Sequence, residues 1–303
     1  MSVIVRESGR SSNPGLAEHQ KPAFTGCPAC AGHDRARARV SESNDLKLPP
    51  SLIAEQRGDV AILRLNRAHK RNALDDDTVL GFDAFFSAIP EGIGAVLLCA
   101  EGDNFSAGLD LSELKERDVS QGIAHSSLWH RTFEKIQFGK VPVVAVLHGA
   151  VVGGGLELAA AAHVRLAERS AYYALPEGSR GIYVGGGGSV RLPRLIGVAR
   201  MMDMMLTGRT YSAEEGQAMG LTTYLVEPGK GFARGLELAQ RIAANAPLTN
   251  FAVMHALPRI AESDPAAGYA MESMISAIAQ ADPEAKARLR DFLEKRGPKV
   301  TQG

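Results

Sequence analysis

Residues 141–162 read VPVVAVLHGAVVGGGLELAAAA, and how this stretch is divided decides the architecture. Its length suits a membrane span. Pro142, His148, four glycines and Glu157 speak against one, because a carboxylate in lipid is costly. The run divides instead into a buried strand over Pro142–His148, a glycine-rich turn, and a buried helix containing LELAAAA. Glycines ahead of a helix leave backbone N–H groups free at its N-terminus, and without Cβ atoms a ligand can approach them closely. Such groups can stabilise negative charge developing on a carbonyl oxygen. A tight strand-to-helix packing corner would use the same residues. Glu157 stands one turn into this otherwise apolar helix. Burial there would raise its pKa, while capping a local backbone N–H is the plainer use.

Outward from this stretch, strand and helix patterns alternate. VAILRLN (60–66) alternates as a strand, and DDDTVLGFDAFFSAI (75–89) opens with acids and continues with helical spacing. AVLLCAEG (95–102) and PVVAVLHG (142–149) read as buried parallel strands. In YSAEEGQAMG (211–220), Ser212 caps a short helix and Glu215 completes a capping box, with a strand, LTTYLVE (221–227), behind it. From Gly231 onward the pattern is consecutive helices punctuated by Pro247, Pro258, Pro265 and Pro283. The class is α/β. The expected organisation is a loosely attached extension over 1–50, a core carrying the site over 51–230, and a helical region over 231–303.

The chain has 303 residues, and its 34 Lys+Arg balance 34 Asp+Glu, which disfavours nucleic acid or a membrane surface as partner. Three cysteines make no disulfide scaffold, so a reducing cytoplasm is expected. MSVIVRESGRSSNP lacks the apolar core of a signal peptide. CPACAGH supplies Cys27, Cys30 and His33, but one CxxC without a second ligand pair reads better as incidental thiols than as half a zinc site. No metal is expected.

A second acid, Glu177, follows in YALPEGSRG, where Pro176 and Gly178 suggest a turn able to aim it. Two carboxylates near an N–H pocket are parts for acid–base work. GGGLEL and GGGGSV both miss the dinucleotide fingerprint, and Walker, HExxH and GxSxG patterns are absent from the sequence.

AVLHGAVVGGGLELAAAAHVRLAERSAYYALPEGSRG resembles the central signature of the enoyl-CoA hydratase/isomerase, or crotonase, family. LNRAHKRNALDDD (65–77), NFSAGLDLSEL (104–114), MMLTGRTYSAEEGQAMGLTTYLV (204–226) and FLEKRGPKV (292–300) resemble further family segments in the same order. The resemblance implies a spiral of β-β-α units with a C-terminal helical trimerisation region, forming a homotrimer or a dimer of trimers. It implies an acyl-CoA thioester as substrate, with no cofactor beyond the CoA that the substrate carries. Leu109 and Gly154 would supply the oxyanion-hole amides, and Glu157 and Glu177 the catalytic carboxyls. Lys70, Arg71, Asn72, Ala73, Ala107, Asp110 and Tyr183 would contact substrate. The implied reaction is hydration of a 2-enoyl-CoA. Isomerisation, hydroxycinnamoyl-CoA hydration and cleavage, thioester hydrolysis, or acyl-CoA binding without turnover are the alternatives.

Two positions depart from the family pattern. His163 stands where an Asp is usual, and a structural role at a helix-to-strand junction is expected of it. Val184 replaces a usual Pro in a loop that borders the acyl pocket. Tyr183, Tyr172, Tyr173, Trp129 and Phe133 could line an aromatic-accepting pocket, or belong to core and interface.

Overall fold

A computed structural model describes residues 47–113, 116–294 and Arg296; Cys27, Cys30 and His33 lie outside the described residues. Leu48 already packs against the core, four residues ahead of the first strand.

β1 (Leu52–Arg57) and β2 (Val60–Leu65) form an antiparallel hairpin with Leu52 opposite Leu65. α1 (Asp76–Ser87) crosses to β3 (Ala95–Ala100), parallel to β2, and α2 (Val119–Gln137) crosses to β4 (Val143–Leu147), parallel to β3. β5 (Ala150–Val152) leaves this sheet, α3 (Gly154–Ala161) follows, and β6 (Val164–Glu168) returns beside β4. β7 (Tyr172–Ala174) pairs parallel with β5. After α4 (Gly188–Ile196) and α5 (Val198–Thr207), β8 (Tyr211–Ser212) runs antiparallel to β7. α6 (Ala213–Ala218) leads to β9 (Tyr224–Val226) at the edge of the first sheet. The chain ends in α7 (Gly231–Ala243), α8 (Pro247–His255), α9 (Leu257–Glu262), α10 (Pro265–Ala281) and α11 (Pro283–Leu293). The larger sheet has the order β1-β2-β3-β4-β6-β9, and the smaller β5-β7-β8.

The run 141–162 is thus β4, β5 and α3, and no described helix is long and apolar enough to cross a membrane. The sequence reading missed β5, whose three residues fall inside the expected turn. The alternation seen in VAILRLN is present, but it does not divide core from solvent. Ala61, Leu63 and Leu65 face one hydrophobic core, and Val60 and Ile62 face a second. β3 and β4 divide likewise, with Val96, Leu98, Val143 and Ala145 on one side and Leu97, Cys99, Val144 and Val146 on the other. Parallel central strands covered on both faces need apolar residues at every position.

The second core is closed by α7, whose Leu238 and Ala239 lie against the sheet. The packed body therefore runs past residue 230, the boundary read from the sequence. Helix ends follow local chemistry. Asp75 caps α1 by accepting from Thr78 N, and the Ser212–Glu215 capping box starts α6 as read. Pro247, Pro265 and Pro283 each occupy a helix's first position, where a missing N–H has no partner to lose.

Leu238 is 6% exposed. Leu238→Ala should lower unfolding free energy by about 3 kcal/mol in a urea titration, through lost apolar burial and the cavity left behind. A loss under about 1 kcal/mol would mean that α7 is not a structural cover for the sheet.

Candidate active site

α3 begins at Gly154, directly after Gly153, whose φ of 53 reverses the chain out of β5. Leu156 N and Glu157 N both donate to Gly153 O, so the amides left without a partner are those at the very start of the helix. The segment 105–110 approaches from the opposite side. Ser106 N donates to Ala150 O and Val152 N to Ser106 O; Ala107 N donates to Arg71 O, Leu74 N to Gly108 O, and Asp110 N to Leu74 O. Gly108 N is taken by Ser106 Oγ at 3.2 Å. Every amide from 105 to 110 thus has an acceptor except Leu109 N, which finds none among the described residues.

Two of these free amides, Leu109 N and Gly154 N, are neighbours. A Cβ built on Gly108, where φ is +87, would lie 3.0 Å from Gly154 N, and one on Gly154 would lie 3.5 Å from Leu109 N. Leu109 and Gly154 line one cavity of about 360 Å³, together with Glu157, Glu177, Trp129 and Gly186.

Glu157 is 3% exposed. Its Oε1 accepts from Gly186 N and Gly188 N, each at 2.8 Å. Burial pushes its pKa upward; these two amides and the Arg191 charge oppose the push without cancelling it. The carboxylate is therefore both buried in the pocket and an acceptor for backbone N–H groups, the two uses left open by the sequence. Glu177 follows β7 and is 8% exposed. Its Oε2 has no partner among the described residues, and Oε1 lies 2.6 Å from where a Cβ on Gly153 would sit. Burial first, then the charge of Glu157, pushes its carboxyl up to about 7.

Trp129, from α2, forms a wall: its six-membered ring lies 2.8 Å from a Cβ built on Gly154 and 3.1 Å from one on Gly186. Of the other aromatics, Tyr183 lines the cavity and is mostly exposed, while Phe133 and Tyr173 are core. Tyr172 takes a hydrogen bond from Arg71 at 2.7 Å. Val184 lines the cavity. His163 sits at the junction of α3 and β6. Its Nδ1 accepts from Val143 N and its Nε2 reaches Gln137 O at 2.9 Å, and burial pushes its pKa down to about 4. It is a neutral structural link, as expected.

Lys70, Arg71, Asn72, Ala73, Ala107 and Asp110 do not line this cavity. Asn72, with φ 53 and no exposure, holds Glu101 O and Asn104 O through Nδ2 and accepts from Arg67 N. Its carbonyl accepts from Ser106 Oγ. Asp110 is buried and accepts from the backbone N–H and hydroxyl of Ser112 first, then from Arg67 at 2.6 Å and Lys70 at 3.3 Å, which hold its carboxyl well below the usual range. These groups brace the segment that carries Leu109. The sequence reading missed Arg117, His125 and Ser126, which line the cavity from α2 and the turn before it. The spacing of Trp129, Phe133 and Ile136 marks the buried face of that helix and says nothing of its polar neighbours. Among the described residues no group of three or more His, Cys, Asp or Glu is placed to hold a metal ion.

Residues 55–303 match the family model described as enoyl-CoA hydratase/isomerase. A short-chain-enoyl-CoA hydratase of Clostridium acetobutylicum is 33% identical over 201 residues, 65% of this chain and 77% of that protein. A crystal structure from Rhodopseudomonas palustris, whose name proposes an enoyl-CoA hydratase, superposes with a TM-score of 0.80 at 59% identity, covering 81% of this chain and 95% of the other. An enoyl-CoA hydratase from Bacillus anthracis gives a TM-score of 0.77 at 30% identity, covering 82% and 98%.

The Glu177 environment has a measurable consequence. Its folded pKa, about 7, lies above the ordinary value of 4.5, so the folded state holds the proton more tightly and stability falls as pH rises between those values. Above pH 7 the ionised, buried carboxyl then costs about 3 kcal/mol. Glu177→Gln should be more stable than the parent by up to about this amount at pH 8, and nearly equal to it at pH 4.5. Urea unfolding at the two pH values reads the difference; a gap independent of pH would contradict the raised pKa.

Proposed function

The chain belongs to the enoyl-CoA hydratase/isomerase family and has its crotonase fold, and from that premise we propose that it hydrates a 2-enoyl-CoA thioester to the 3-hydroxyacyl-CoA. One observation carries the reading: two acceptor-free amides, Leu109 and Gly154, share a cavity with two buried carboxyls in unlike environments.

The thioester carbonyl oxygen lies at the two amides. Water attacks C3, and Glu157, its anion supported by two N–H groups, takes the water's proton. The C2–C3 π electrons move toward the carbonyl, and the enolate oxygen is stabilised by Leu109 N and Gly154 N. One such donor is worth about 3 kcal/mol in the barrier. Glu177, with its carboxyl raised to about 7, is protonated for much of the time near neutrality and gives its proton to C2. The reverse reaction exchanges the two roles. An isomerase needs only one proton-shuttling carboxyl, so the presence of two favours hydration.

The CoA moiety is assigned to the turn at Lys70–Ala73. The amides and carbonyls of these four residues are all internally bonded, so the grip falls to the Lys70 and Arg71 side chains. No cofactor enters the reaction. Tyr269, Met274, Ile278, Leu289 and Phe292, all exposed on α10 and α11, support assembly of copies through these helices into a homotrimer or a dimer of trimers.

Crotonyl-CoA and a cinnamoyl-type CoA should lose their conjugated thioester absorbance when mixed with the protein. Glu157→Gln and Glu177→Gln should each lower kcat by about 100-fold or more while thioester binding survives. Unchanged rates in both variants would remove these carboxyls from the mechanism. Gly108→Ala offers a separate check, because its methyl group would crowd Gly154 N and φ is +87 there. Its expected effect is a kcat loss of about 100-fold, since it blocks the amide pair and leaves both acids in place.

A further inference from the structure

GGGGSVRLPRLI (185–196) carries an arginine just inside α4, a position that usually leaves the guanidinium in water. Arg191 is instead only 9% exposed. Its Nε donates to Gln137 Oε1, at the end of α2, at 2.7 Å, and a terminal nitrogen donates to Gly186 O at 3.0 Å. The guanidinium passes Gly187, where φ is +92 and any Cβ would collide with it. The N–H of that same Gly186, with that of Gly188, holds Glu157 Oε1. A continuous chain of contacts therefore runs Gln137–Arg191–Gly186–Glu157.

We propose that Arg191 is a positioning residue for Glu157: by gripping the Gly186 carbonyl it keeps both loop amides on the carboxylate, and its buried positive charge faces that carboxylate across the loop. The inference rests on the reading of Glu157 as the group that takes the water's proton.

Two physical terms support it. A buried guanidinium is costly unless paired and hydrogen-bonded. Arg191 has both bonds named above, and burial lowers its pKa while the Glu157 charge raises it. In return the Arg191 charge lowers the pKa of Glu157 against the dominant effect of burial. Among the described residues the other charged or titratable groups are Glu177, from the turn after β7, which interacts with Glu157; Glu134 on α2, which interacts with Arg191; and Arg117 and His125, which line the cavity. Of these, Arg191 is the cation that acts on both the charge of Glu157 and the backbone that holds it.

The test compares Arg191→Met, Arg191→Lys and Gln137→Ala in the full chain with the enoyl-CoA it turns over. Arg191→Met should lower kcat about 10- to 100-fold with KM changed less than about threefold, and should move the acidic limb of the kcat/KM profile upward by about one pH unit. Arg191→Lys keeps the charge and loses the fork, so it should recover the limb position and only part of the rate. Gln137→Ala should slow turnover with the limb unmoved. A parental rate and profile in Arg191→Met, or identical profiles in the Met and Lys variants, would overturn the inference. Where the Met variant does not fold, the Lys and Gln137 variants decide: an upward limb shift in either of them, or parental kcat in both, overturns it. An infrared titration of the ligand-free protein, with Glu157→Gln to assign the band, reads the carboxyl without turnover. A midpoint that rises in Arg191→Met supports the inference even if no enoyl-CoA is hydrated, and an unmoved midpoint overturns it.

Discussion

A buried polar group left without a partner costs about 1–3 kcal/mol, and folded chains leave few of them. This molecule holds two amides side by side, at Leu109 and Gly154, that open onto the cavity and find no acceptor among the described residues, and much of the surrounding structure keeps them in that condition. On one side, β5 is pinned by β7 and by the Ser106–Val151 bridge, so the chain must turn at Gly153 and start α3 where it does. On the other, the Leu74–Leu109 bridge and the Ser106 hydroxyl occupy the amides on either side of Leu109. Asn72 and the Arg67–Asp110 pair anchor the same segment from below. A looser segment could rotate its free N–H onto a nearby carbonyl and end the exposure. The bracing makes that rotation unavailable, which is the sense in which the site is preorganised.

The same logic divides the two carboxyls. Both are buried, and burial alone would drive both toward the neutral form. Glu157 is opposed in this by two amides and a guanidinium, whereas Glu177 has an unpartnered Oε2 and a neighbouring anion. Both carboxyls stay raised by burial, but only Glu157 has backbone donors and a cation that favour its anion, and that difference is what lets acid and base roles be divided within one cavity. The two titrate as a pair, and each state of one alters the other.

What the sequence disclosed follows how local each cause is. The apolar runs of β3 and β4, the caps at Asp75 and Ser212, and the proline starts of α8, α10 and α11 rest on residues a few positions apart, and they could be read directly. Leu109, Gly154, Glu157 and Glu177 were legible as a set through resemblance, and the structure brings all four to one cavity. Lys70 and Asp110 look like free charges on a line of letters, yet they are salt-bridged to each other at 3.3 Å. Arg191 looks solvated and is buried because Gln137, 54 positions earlier, comes to meet it. Such pairings depend on the tertiary arrangement, and no spacing rule encodes them.

The two sides of the cavity are built differently, and the difference bears on how chemistry and selectivity separate. All eight residues of α3 are buried, and one side of the cavity is made from its backbone, the segment 105–110 and the glycine loop. Substituting a side chain changes a backbone amide only by distorting the fold, so this part can tolerate little variation. The facing wall comes from Arg117, His125, Ile182, Tyr183 and Val184, which are partly or largely exposed except for Val184. Side chains there can change without moving α3 or its amides. A cavity built this way can keep its backbone groups fixed while the side chains of the other wall vary, and Val184 lies on that wall.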